Sequence, residues 1–233
     1  MAQPVCAIVG IGPGNGEALT RKFAGEGYQL ALCSRTQERI DTLAAATSGA
    51  KAFRYDAADP DSAVPIFKQI EDELGPVSVL VYNAGPGEFI SFDDTSLEQL
   101  RSAWEVNTQG LFCATQAVLP QMRAHGGGDI VVIGATASVR GGAKAAPFAA
   151  AKAAQRSLAQ SMARHLGPEG IHVSLVIIDG VIDIPSTRKA MPNHEDDYFM
   201  APEAIADSVF ALTQQHASAW SFEIDLRPYG EKW

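Results

Sequence analysis

The stretch Gly10-Ile11-Gly12-Pro13-Gly14-Asn15-Gly16 places glycines at alternate positions directly after the apolar run Val5-Cys6-Ala7-Ile8-Val9. Apolar residues Leu19, Phe23 and Ala24 then fall on one face of a helical pattern. A strand, a glycine turn and a helix in that order form an anion cradle. Glycines let the backbone approach a phosphate, and the first helical N–H groups point at it. The glycine turn at the start of a βαβ pattern therefore predicts a nucleotide site built from Gly10, Gly14, Asn15 and Gly16. No comparable pattern predicts a metal. Cys6, Cys33 and Cys113 are widely spaced, and none of the five histidines pairs with another at ligand spacing.

The elements that must hold this cradle are legible in the apolar pattern. Strand-like runs fall at 5–9, 28–33, 51–55, 77–82, 129–134, 171–178 and 220–226. Helical patterns fall near 15–26, 36–47, 60–74, 96–123, 145–166 and 202–215, with starts at Pro60, Ser96 and Pro202. Runs such as Val77-Ser78-Val79-Leu80-Val81 are almost continuously apolar, which suits a parallel sheet covered on both faces. The expected fold is α/β: one Rossmann-type domain over 1–233, a doubly wound parallel sheet with helices on both faces. Ligands of such a sheet lie outside the carboxyl ends of its strands. Segment 183–200 breaks the regularity with Pro185, Pro192, mixed charges, Tyr198 and Phe199, and is expected to form a substrate lid.

The chain of 233 residues carries a formal net charge of -9, which argues against nucleic acid or an anionic membrane as partner. No apolar run approaches the ~18 residues of a membrane span, and the N-terminus lacks a basic n-region. The expectation is a cytoplasmic protein acting on a small molecule.

Later strand ends add further signals: Asn83-Ala84-Gly85, Asn107 inside the long helix, Lys152 on an Ala-rich helix, and Asp179-Gly180. Together with Gly10, Gly14 and Gly16, this set resembles the short-chain dehydrogenase/reductase family over almost the whole chain. The resemblance implies a nicotinamide dinucleotide held by the glycine turn, by Asn83, Ala84 and Gly85, by Lys152, and by Gly180 and Val181. It implies an adenine contact at Asp56, for which a strand-end cap is the plainer alternative. It also implies catalytic roles for Asn107 and Lys152, and a homodimer or homotetramer formed through the helices at 96–123 and 145–166.

The departures bear on the proton. The family's catalytic Tyr lies four residues before the Lys, where this chain has Phe148, and its catalytic Ser falls on Ala135. The i, i+4 spacing places Phe148 on the Lys152 face of the helix, so it should point into the same cleft. Neither Phe148 nor Ala135 can donate or accept a proton. Positioned acid–base catalysis is typically worth ~10²–10⁴-fold in rate. Three readings follow: an oxidoreductase with a relocated proton donor, a dinucleotide-binding sensor or oligomer scaffold, and an enzyme whose substrate or lid water supplies the acid. Candidate donors are Tyr82, Tyr198 and Asp179, with Thr136 and Ser138 as nearby hydroxyls. Asp179 is either a protonated acid in an apolar pocket or an ionised structural carboxylate. The expected pocket is lined by Ala135, Phe148, Tyr198 and Phe199, and suits a small or medium apolar carbonyl or activated alkene.

The second strand ends in Ser34-Arg35. Relatives that prefer NAD usually place an Asp at this strand end. A guanidinium beside a small hydroxyl suits a 2′-phosphate, and no carboxylate is present to repel it. NADP is therefore expected over NAD, with Arg39 one turn on as an auxiliary.

Overall fold

The computed structural model describes residues 3–85, 87 and 89–230. Its strands are β1 (Val5–Val9), β2 (Gln29–Ser34), β3 (Ala50–Arg54), β4 (Val77–Tyr82), β5 (Gly128–Ala135), β6 (Ile171–Ile178), β7 (Val181–Ile182), β8 (Phe199–Met200) and β9 (Glu223–Leu226). Its helices are α1 (Asn15–Gly25), α2 (Gln37–Ala45), α3 (Ala63–Leu74), α4 (Leu97–Trp104), α5 (Gly110–Ala124), α6 (Ala146–Leu166), α7 (Pro185–Ala190) and α8 (Pro202–Thr213). Seven strands form one sheet in the order β3-β2-β1-β4-β5-β6-β9, paired in parallel throughout. This is the expected single Rossmann-type α/β domain. The strand order reverses between β1 and β4, which opens a crevice at the carboxyl ends of the strands.

The continuous apolar runs follow from coverage on both faces. Val5, Ala7 and Val9 join one core with Phe67, Leu111, Val118 and Leu166, while Cys6 and Ile8 join the other with Leu19, Phe23, Ile205 and Val209. Each fully buried Leu, Ile or Phe contributes roughly 1.5–3 kcal/mol.

Two segments differ in detail from the sequence-based expectation. The helix expected over 96–123 starts at Ser96 as anticipated, with a capping box to Gln99. It then opens into a single wide π turn, Glu105–Gln109, between α4 and α5. The cause is local. The Val106 carbonyl accepts from the Tyr82 hydroxyl and the Asn107 carbonyl accepts from Gln155 Nε2 at 2.7 Å, so both oxygens are drawn off the helix axis. Segment 183–200 is ordered locally. β7 pairs in parallel with β8 across it, and α7 lies between them. Arg188 grips Asp183 through two nitrogens, each at 2.7 Å, reaches Asp196 at 2.6 Å, and lies over the Phe199 ring.

Candidate active site

The glycine turn closes against β4. Gly10 has φ +98, and a Cβ there would strike the main chain of Ala84 and Asn83. Only glycine fits such a position without strain. Asn83 Nδ2 donates to the Gly10 carbonyl at 2.7 Å, locking the two strand ends together. Between them lies a cavity of about 280 Å³, lined among others by Gly10, Gly12, Ser34, Arg35, Arg39 and Asp56. It also reaches Asn83, Ala84, Gly85 and Val106. Gly14 and Asn15 lie at the start of α1, and the Asn15 Oδ1 is buried with no hydrogen-bond partner among the described residues. Ile184 lies across Gly14, 2.6 Å from where a Cβ would stand, so the entrance of segment 183–200 sits on the glycine turn. Gly180 and Val181 lead from β6 into that segment.

At the β2 end, Ser34 and the exposed Arg35 and Arg39 face the cavity. Among the described residues none of the three pairs with a carboxylate. Ser34 is also registered against Arg54 on β3. Arg54 lines an adjoining cavity of about 400 Å³ together with Arg35, Asp56, Asp59 and Ser62. Sequence reasoning missed Arg54, which becomes visible only when the β2–β3 register is known. Asp56 caps its own turn, Oδ1 accepting from the Ala58 N–H at 3.0 Å.

Gly85, which lines the cavity, is flanked by Asn107 and Lys152. A Cβ on Gly85 would collide with Asn107 Oδ1 and lie 3.1 Å from Lys152 Nζ. Asn107 is fully buried, and its Nδ2 donates to the Ala103 carbonyl at 2.9 Å. Its Oδ1 has no partner among the described residues. Lys152 Nζ donates to the Ile133 carbonyl at 2.8 Å and to Gln155 Oε1 at 2.9 Å. Burial pulls the Lys152 amine down to about 7. Phe148 lies on the same helix face, with Lys152 Nζ 5.9 Å from its ring centroid, and Phe89 packs beside it at 5.9 Å. Ala135 packs against the small cluster of Ala137, Ala145, Phe148 and Ala149.

The remaining polar candidates are engaged elsewhere. The Tyr82 hydroxyl, fully buried, donates to the Val106 carbonyl. The Ser138 hydroxyl accepts from the Ala135 N–H at 3.1 Å. Thr136 donates to Asp179 Oδ1, which Arg140 also approaches at 3.4 Å, while Arg227 holds Oδ2 at 3.0 Å. Asp179 is thus a buried carboxylate held between two guanidiniums and the Thr136 hydroxyl. Tyr198 stacks on His194 at 4.0 Å and meets Phe199 edge-on, all within its own segment. The structure therefore gathers Gly85, Asn107, Phe148 and Lys152 at one point, and binds Tyr198 and Asp179 into other contacts. Gln155 was overlooked in the sequence, because its second partner, the Asn107 carbonyl, is brought to it only by packing.

Comparison with known proteins agrees with this architecture. A short-chain dehydrogenase of Rhodopseudomonas palustris is 33% identical, covering 97% of this chain and 99% of its own, with a TM-score of 0.83. An uncharacterized oxidoreductase of Staphylococcus epidermidis is 26% identical over 229 residues, 97% of each chain. An alcohol dehydrogenase of Thermococcus sibiricus, solved with 5-hydroxy-NADP, has the same fold, with a TM-score of 0.88 at 24% identity over 99% of this chain and 98% of its own. The family model described as short chain dehydrogenase matches residues 4–195, and the chain belongs to that family of oxidoreductases.

Proposed function

We propose that this oxidoreductase is NADP-dependent and transfers hydride between nicotinamide and a small carbonyl/alcohol pair or an activated alkene, with a proton donor other than the family's phenol. One observation carries the reading: a single cavity runs from Ser34 and Arg35 to Gly85, and Gly85 abuts Asn107 and Lys152. The residues present fit a dinucleotide. The Gly10 cradle leaves backbone where a side chain would block it, and Asn107 Oδ1 and Asn15 Oδ1 are buried acceptors awaiting a donor. When bound, the dinucleotide supplies the hydride. Gly10, Gly14 and Gly16 would lie against its phosphates, Arg35 with Ser34 at the 2′-phosphate, Asn83-Ala84-Gly85 along its ribose, and Lys152 at the nicotinamide end. The Thermococcus relative, crystallised with 5-hydroxy-NADP, supports the choice of NADP. Phe148 stands where the phenol would, and together with Ala135 makes an apolar wall suited to an apolar substrate. Segment 183–200 is read as a lid, resting on Gly14 through Ile184.

Fluorescence titration with NADPH and NADH tests the assignment. Arg35→Ala should weaken NADPH at least tenfold and NADH much less, tenfold being about 1.4 kcal/mol. Equal effects on both would overturn the NADP preference. The engaged hydroxyls of Tyr82, Thr136 and Ser138 favour one second reading, a dinucleotide sensor or scaffold. Binding with no turnover across carbonyl and enone panels would support it.

A further inference from the structure

Gln155 lies one helical turn after Lys152 on α6 and is fully buried. Both ends of its carboxamide are used: Oε1 accepts from Lys152 Nζ at 2.9 Å and Nε2 donates to the Asn107 carbonyl at 2.7 Å. That carbonyl belongs to the π turn at Glu105–Gln109. We propose that Gln155 is a positioning residue that ties Lys152 to the π turn and holds its amine aimed into the cleft, where Lys152 passes the proton in place of the missing phenol. The proposal rests on the oxidoreductase reading above and names the proton carrier within it.

The geometry leaves one outlet. Ile133 O and Gln155 Oε1 take two N–H groups of Lys152, and the remaining valence has Gly85 beside it, 3.1 Å from a Cβ placed there, with the Phe148 ring on the other side. That valence is an N–H in the ammonium and a lone pair in the amine. With hydride supplied to a carbonyl carbon by a bound reduced dinucleotide, the third N–H bond of Lys152 would break, its electron pair staying on Nζ. An O–H bond forms on the substrate oxygen, and the amine regains a proton from water. A carboxamide neither gains nor loses a proton near neutrality, so Gln155 steers Lys152 without competing for the proton. Burial brings the amine to about 7, where acid and base forms are both available.

Among the described residues, no other titratable side chain bonds to Nζ. On β4 Tyr82 is turned to Val106, and at the end of β6 Asp179 is turned to Thr136, Arg140 and Arg227. At the far ends of β5 and β6, Asp129 and His172 pair with each other at 3.2 Å, and on α6 Arg156 pairs with Glu223. The groups around Nζ are carbonyl oxygens, amides, a ring and a glycine.

The test is a pH titration of the Lys152 side chain by NMR on cofactor-free protein, assigned with Lys152→Met. The near-isosteric Gln155→Glu places a carboxylate on Nζ and should raise the midpoint by at least one pH unit. Gln155→Leu removes an acceptor and should lower it. In the wild type, kcat/KM for reduction should fall as pH rises through the same midpoint, and that limb should move with it in Gln155→Glu. A midpoint that stays put in Gln155→Glu overturns the positioning role, and this variant decides alone should the Leu variant fail to fold. A limb that stays while the midpoint moves overturns Lys152 as the carrier. Failure of wild-type protein to bind NADPH would instead sink the oxidoreductase reading, while the NMR midpoint still reports on Gln155.

Discussion

Lys152 has a measurable cost as well as a use. Its amine is held down to about 7 by burial, whereas a lysine in the unfolded chain titrates near ~10.4. Between these values the unfolded chain binds a proton that the folded chain does not, so this group's contribution to stability rises with pH, by up to ~1.4 kcal/mol per unit. Urea unfolding from pH 7 to 10 should therefore show wild type gaining on Lys152→Met as pH rises; parallel curves would contradict the buried, neutral amine. Lys152 and Asn107 were singled out in the sequence through the resemblance to the family, whose ordered motifs they match. Phe148 followed from its place four residues before Lys152, and it lies beside Lys152 on the helix face that i, i+4 geometry gives it. Gln155 was not singled out, because its second partner is a carbonyl that only tertiary packing brings to it.

The π turn shows the same limit among elements. Apolar spacing over 96–123 reads as one helix, and nothing periodic marks the point where Tyr82 and Gln155 pull two carbonyls aside. Tyr82→Phe leaves the Val106 oxygen buried without its donor, which should cost about 1–3 kcal/mol. A thermal melt unchanged by that substitution would mean the hydroxyl does not hold the turn. Segment 183–200 was legible as an interruption, but its two-residue strands are too short to leave a pattern. Its internal order rests on Arg188, whose partners Asp183 and Asp196 belong to the same segment. Arg188→Ala should expose the segment to limited proteolysis while the global melting temperature changes little, since exposed ion pairs contribute only ~0–1 kcal/mol. A drop in the global melt equal to the gain in cleavage would show that the segment unfolds only with the whole domain.

At the scale of the molecule, the central strands were readable because they are buried on both faces, and their order opens the crevice at the carboxyl ends of β1 and β4. Leu97, Leu100 and Trp104 recur at helical spacing on α4, are 71%, 39% and 44% exposed, and are joined by Phe112 on α5 at 50%. We propose that this stripe is covered by a second copy. Sedimentation should give a dimer or tetramer that Trp104→Glu shifts toward monomer, and a monomeric wild type would end that proposal. The crevice itself is tested most directly by a crystal structure with NADPH. The 2′-phosphate should lie against Ser34 and Arg35, the phosphates on the glycine turn and the nicotinamide end at Lys152. An empty crevice at saturating NADPH, or a dinucleotide bound elsewhere, would contradict this placement.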